Sequence, residues 1–82
     1  GRRLPGDLRG WTFRGAVLIA TDLRGAELDD VDLLGADLRD ADVRGRDLSS
    51  ALFLTQPQVN AARGDARTTL PAGLSRPGHW TA

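Results

Sequence analysis

The chain has 82 residues, eleven acids balanced by eleven arginines, 40% hydrophobic residues, ten glycines and neither cysteine nor methionine. That length allows one small domain, which buries only about 60–65% of the surface its unfolded form exposes and so depends on a partner, a metal or very regular packing. Disulfides and thiolate metal sites are excluded. The longest uncharged run, Ser49 to Ala62, is broken by Pro57, so no membrane insertion and no secretory signal is read, and the default location is cytoplasmic.

Residues 1–5, ending in Leu4-Pro5, read as an N-terminal cap. One register of period five then holds from 6 to 55, the signature of a solenoid of stacked units. The centre of every pentad is apolar: Leu8, Phe13, Leu18, Leu23, Leu28, Leu33, Leu38, Val43, Leu48 and Phe53. Two places earlier stands a mostly small residue, as at Gly6, Ala16, Ala26, Ala36, Ala41 and Ala51. An acid recurs just before the centre, as at Asp7, Asp22, Asp37 and Asp42, and glycine two places after it, at Gly10, Gly15, Gly25, Gly35 and Gly45. A period of five fits neither a helix face nor an alternating strand. It fits a short extended piece followed by a turn, with glycine where a type II turn requires positive φ. The centre and the residue two before it then both point inward, and large alternates with small along a narrow filled core.

The pattern resembles the pentapeptide-repeat family, whose consensus Ala-(Asp/Asn)-Leu-X-X is reproduced by Ala36-Asp37-Leu38-Arg39-Asp40. The resemblance implies an all-β fold, a short right-handed quadrilateral β-helix in which four pentads make one square coil of twenty residues. Ten pentads give about 2.5 coils, a stack on the order of 12 Å tall, with an open edge at each end that needs a cover. The irregular residues fall at those ends. Trp11 occupies a small-residue place in the first coil and reads as a plug. Arg46 occupies one in the last coil, where an inward arginine must reach water or carbonyl groups.

Residues 56–82 read as a C-terminal helix and tail. Thr55-Gln56-Pro57-Gln58 has the form of a capping box ahead of Val59 and Ala61-Ala62, and Gly64 is a stop signal, so a short helix over 56–63 is expected across the top coil. The tail is expected to run extended along the wall, anchored by Leu70, Leu74 and Trp80. The stretch from Leu70 to Trp80 resembles the C-terminal tail of many bacterial pentapeptide-repeat proteins, which implies that the natural carboxyl end is present.

No catalytic constellation emerges, and no enzyme, cofactor or metal is read. Ser49, Ser50 and Ser75 lack a histidine–acid pair, His79 stands apart in the tail, and a filled interior offers no substrate cavity. Asp30-Val31-Asp32 with Gly35 fails as a calcium loop because Leu34 and Ala41 stand at ligand places. Arg63-Gly64-Asp65 is explained by the helix stop.

Stacking at twenty residues sorts the outward side chains. Asp7, Glu27, Asp29, Asp30 and Asp47 gather on an acidic face, where they cap backbone N–H groups or stay solvated, with a cation or a basic partner as the alternative. Val17, Ile19, Leu34, Leu52 and Leu54 point outward on two adjoining sides and need a cover. Leu52 and Leu54, beside the helix start, are expected under the chain's own cap. Val17, Ile19 and Leu34 are candidates for a protein partner or homodimer surface.

Two functions follow. The first is a non-catalytic scaffold or protein-interaction module, an accessory subunit of a larger assembly. The second comes from the resemblance: some pentapeptide-repeat proteins mimic duplex DNA and protect a type II topoisomerase such as gyrase. Residues 6–55 carry ten acids and six arginines, net −4, whereas DNA carries a charge about every 1.7 Å, so mimicry is disfavoured. With arginines alternating with acids, direct nucleic-acid binding is not expected either.

Overall fold

In the computed structural model, which describes residues 4–81, the pentads wind into coils of twenty residues. Parallel bridges set the register: Asp7 pairs with Glu27, Thr12 with Asp32, Val17 with Asp37, Asp22 with Asp42, and Asp32 with Leu52. Two backbone bonds make each step. The Leu18 N–H donates to the Asp37 carbonyl at 2.9 Å, and the Asp37 N–H donates back to Ala16 at 2.9 Å. Between steps each pentad closes a turn on its own centre, as where the Ala41 N–H donates to the Leu38 carbonyl at 3.0 Å. The place two after the centre is left-handed at Gly10, Gly15, Gly35 and Gly45, as the turn requires. Ala20, Asp30 and Asp40 take the same conformation with φ near 60°, where a Cβ costs about 1–2 kcal/mol.

Those turns overturn the expectation of an all-β fold. Among the described residues there is no β-sheet: strand-type pairing is confined to single-residue bridges, 15% of the residues, with 8% in helix. The physical reason lies in the period. A turn recurs every five residues, so only one residue per pentad engages the coils on both sides before the chain bends, and no run grows into a strand.

Inside, the centres from Leu18 to Leu48 and Leu8 are buried, interleaved with Thr21, Ala26, Val31, Ala36 and Ala41. Phe13 is only partly buried. The space left among these large side chains is about 10 Å³, no more than one water needs.

The upper end differs from the expectation of 2.5 coils and an extended tail. The chain leaves the register at Phe53, which takes φ 62° and lies 55% exposed instead of pointing inward. The helix α1, Gln56–Ala61, follows, and buries Val59. The Thr55 N–H donates to Gln58 Oε1 at 2.8 Å, while Gln58 Nε2 donates to the carbonyls of Leu33 at 2.8 Å and Ala36 at 2.9 Å. The regular ladder would bring the N–H of residue 57 to Ala36, as Asp37 serves Ala16. Residue 57 is proline and has no N–H, so the Gln58 amide supplies the donor.

The coil then resumes. Arg63 bridges to Asp42 and Thr69 to Asp47, which places Ala62 and Thr68, both buried, as the next small inward residues. Leu70 takes a centre position against the core. Gly64 takes the other centre and has no side chain, and the Trp80 ring fills the place: a Cβ on Gly64 would come within 2.5 Å of it. The indole is buried and its Nε1–H donates to the Ala62 carbonyl at 3.1 Å. Three coils are therefore complete and a fourth is begun. The tail crosses the end in two turns, at Pro71–Leu74 and Pro77–Trp80, and is tied to α1 where the Ser75 N–H donates to Gln56 Oε1 at 2.9 Å and Gln56 Nε2 donates to the Ser75 carbonyl at 2.8 Å.

At the lower end Leu4 packs against the core; residues 1–3 of the expected cap lie outside the described residues. Trp11 is 47% exposed, its ring 6.0 Å from that of Phe13, so it lies beside the core more than it plugs it. Arg46 Nη1 donates to the Ala26 carbonyl one coil below at 3.1 Å, while its buried Nε finds no partner.

Candidate interaction surface

The four sides differ in what they show to solvent. The first, stacked on Leu8, Leu28 and Leu48, carries the acidic residues. Arg9 Nε lies 2.9 Å from Asp7 Oδ1 and 3.3 Å from Glu27. Asp47 accepts from the Ser49 hydroxyl at 2.6 Å and the Thr69 hydroxyl at 2.7 Å, which hold its carboxyl down to about 2. The Asp30 N–H donates to Ser50 Oγ at 3.1 Å, and Asp29 meets the Gly10 N–H through its backbone carbonyl at 2.9 Å. The acidic residues thus share a side, but among the described residues no three groups converge to hold a metal.

The fourth side, stacked on Leu23 and Val43, is a ladder of ion pairs. Arg24 reaches Asp22 at 3.0 Å and Asp42 at 3.4 Å, and Arg44 reaches Asp42 at 2.7 Å. The Arg44 guanidinium holds the Asp42 carboxyl below its ordinary value. Above them an open polar cleft is lined by Arg44, Arg63, Asp65, His79 and Trp80. Asp65 is occupied there: its Oδ1 accepts from the Gly45 N–H at 3.1 Å and the Arg67 N–H at 3.0 Å.

The second and third sides are apolar. On the second, Leu34 and Leu52 are 44% and 45% exposed, joined by Phe53 and, at the lower corner, Trp11. Around the corner at Gly15 and Gly35, the third side adds Val17 at 65% and Ile19 at 42%. Leu54 is partly buried against the core, whereas Leu52 is not covered by the helix or the tail. The charges on these sides are matched internally, Arg14 with Asp32 and Arg39 with Asp37. The Arg14 guanidinium also lies 5.6 Å from the Phe53 ring centroid, within cation–π range. All six exposed large hydrophobic side chains of the described residues lie on these two sides or at their corner. Sequence reasoning found Val17, Ile19, Leu34 and Leu52 there and missed Trp11 and Phe53. The one signal for Phe53 was Pro57, which stands at a ladder donor position and has no N–H to give.

Comparison with known proteins agrees with the register. A family model described as pentapeptide repeats matches residues 7–45 in eight copies. Among curated proteins, a 30-residue stretch is 57% identical to the uncharacterized protein YybG of Bacillus subtilis (strain 168), covering 37% of this chain and 11% of that protein. The chain therefore spans only a small part of that relative. No solved structure matches it. No helix among the described residues is long and apolar enough to cross a membrane.

Proposed function

The chain belongs to the pentapeptide-repeat family, and we propose that it acts as a non-catalytic scaffold or interaction module that meets a protein partner through its second and third sides, as an accessory piece of a larger assembly. Pentapeptide-repeat proteins are generally non-catalytic. The observation that carries the reading is the segregation of the exposed hydrophobic side chains: Trp11, Val17, Ile19, Leu34, Leu52 and Phe53 share two adjoining sides, while of the other two the first is acidic and the fourth is a ladder of ion pairs. A contiguous apolar patch on so small a body is the usual mark of an interaction site. The topoisomerase reading gains no support from the surface, because Asp7, Asp22, Asp37 and Asp42 are each paired with an arginine two residues on.

Site-selective photocrosslinking tests the proposal. A photoreactive side chain at Leu52 or Val17 is expected to form discrete protein adducts in cells, and the same group at Arg24 or Ser49 is not. Equal labelling from all four sides, or none from any, rejects the apolar sides as the contact surface.

A further inference from the structure

We propose that the second side is a self-association surface, and that its occupant is a second copy of this chain, anchored by Phe53. The inference rests on the interaction-surface reading above and names the partner for one of its two sides.

Phe53 is the first observation. It stands at the pentad position where Leu8, Leu28, Leu33 and Leu48 are buried, yet its backbone lies at φ 62° and its ring is turned to solvent. A bulky residue in the left-handed region is an outlier that persists only where its surroundings over-determine it, and such outliers concentrate at binding sites. Aromatic side chains, phenylalanine among them, and arginine are also enriched at the cores of interfaces, and Arg14 lies against this ring.

Charge is the second. A symmetric dimer presents the same patch from both copies. The second side can face itself because its two charged side chains, Arg14 and Asp32, are paired within the chain. The first side could not, since Asp7, Glu27, Asp29 and Asp47 outnumber Arg9 there, and copies would meet acid to acid.

Area is the third. The described residues expose 4611 Å² on a body of 28 × 24 × 18 Å, so one flank offers about 700 Å². Two flanks bury roughly 1,400 Å², inside the range of specific stable interfaces. In the isologous arrangement Phe53 of each copy packs over Leu34 and Leu52 of the other.

Sedimentation equilibrium of the full chain from low micromolar to near millimolar concentration tests this. The expected result is a monomer–dimer equilibrium that weakens roughly thirtyfold or more in Phe53→Gly, the loss typical of an anchor residue. Because glycine is at ease at positive φ, the same variant keeps or raises its melting temperature at a concentration where both proteins are monomeric. Leu34→Glu is expected to abolish the dimer, and Arg24→Ala to leave it unchanged. A chain that stays monomeric throughout overturns the inference, as does a dimer that survives both Phe53→Gly and Leu34→Glu. If the chain is monomeric while Leu52 still crosslinks to a different protein, self-association fails and the interaction-module reading stands. If neither occurs, both fail.

Discussion

In the lower coils each inward side chain comes from the pentad that needs it; in the closing layer the core is completed from a distance. Val43 fills its own centre, but Gly64, one coil above it, is filled by Trp80, sixteen residues further on. The ladder changes in the same way. Ala16 receives its hydrogen bond from a backbone N–H, whereas Ala36 receives it from the Gln58 side chain. A repeat can be built from local contacts because the unit above is identical. A last coil has no unit above it and must bury its upper surface with something else.

Removing the distant residue breaks the closing layer first. Trp80→Ala is expected to lower stability by about 3–5 kcal/mol, the usual range for emptying a core aromatic site. Gly64→Ala is expected to act in the same direction, since its Cβ and the ring cannot share the space. Native-state hydrogen exchange sharpens the contrast. In Trp80→Ala the amides of Arg63 and Thr69 should lose protection well before those of Leu18 and Leu23, whereas Leu38→Ala should lower all of them together. Uniform loss in both variants would show that the closing layer and the coils unfold as one unit.

Gln58 gives the next largest effect. Gln58→Ala is expected to cost about 1–2 kcal/mol by leaving the Thr55 N–H and the Ala36 carbonyl without partners, while the Leu33 carbonyl keeps the Ala36 N–H at 3.1 Å. Gln58→Glu separates the two roles, because a carboxylate still accepts from Thr55 but cannot donate to Leu33 or Ala36. Urea unfolding should place Gln58→Glu near the alanine variant. A stability equal to the parent's means that the amide does not replace the missing proline N–H.

These differences mark what was legible in the sequence. The five-residue period, the inward centres from Leu8 to Leu48 and the capped helix start could be read because each depends on residues at most a few places apart, whereas the twenty-residue coil came only from the family resemblance. The outward turn of Phe53 could not be read from its pentad, which looks regular; it depends on where the chain goes at Pro57. Trp80 was expected to anchor the tail, and its site, Gly64, was read only as a helix stop. The pairing of a missing side chain with a distant one leaves no periodic trace. The all-β expectation erred for another reason: the same turns that close each pentad stop any strand after a single bridge.

Asp47 joins the two regions, since its carboxylate accepts from Ser49 in the coil and Thr69 in the closing layer. Its carboxyl titrates at about 2 when folded, against an ordinary 3.8. A depressed folded value means that its stabilisation is complete above the ordinary value and is lost as pH falls from there toward about 2. The midpoint of urea unfolding should therefore drop across that window, and Asp47→Asn should lessen the drop without abolishing it, because Asp7, Asp37 and Asp42 are shifted the same way. An unchanged slope in Asp47→Asn would break the proposed clamp between coil and closing layer.

The smallest effect concerns the acid that precedes so many centres. Asp7, Asp22, Asp32, Asp37, Asp42 and Asp47 each accept a hydrogen bond from the backbone N–H two residues on. Asp65 repeats the motif in the closing layer, receiving the Arg67 N–H at 3.0 Å. The recurrence of the acid therefore follows from turn geometry, and the arginine that often follows is secondary. Asp37 allows the two to be separated, because Arg39 is exposed and Asp37 is partly exposed. Asp37→Asn keeps an oxygen for the Arg39 N–H and discards the charge. It should change stability by only a few tenths of a kcal/mol, as expected for an exposed ion pair. Asp37→Ala discards both and should cost about 1 kcal/mol. If the asparagine variant proves as damaging as alanine, the charge pair and not the cap explains why the acid recurs.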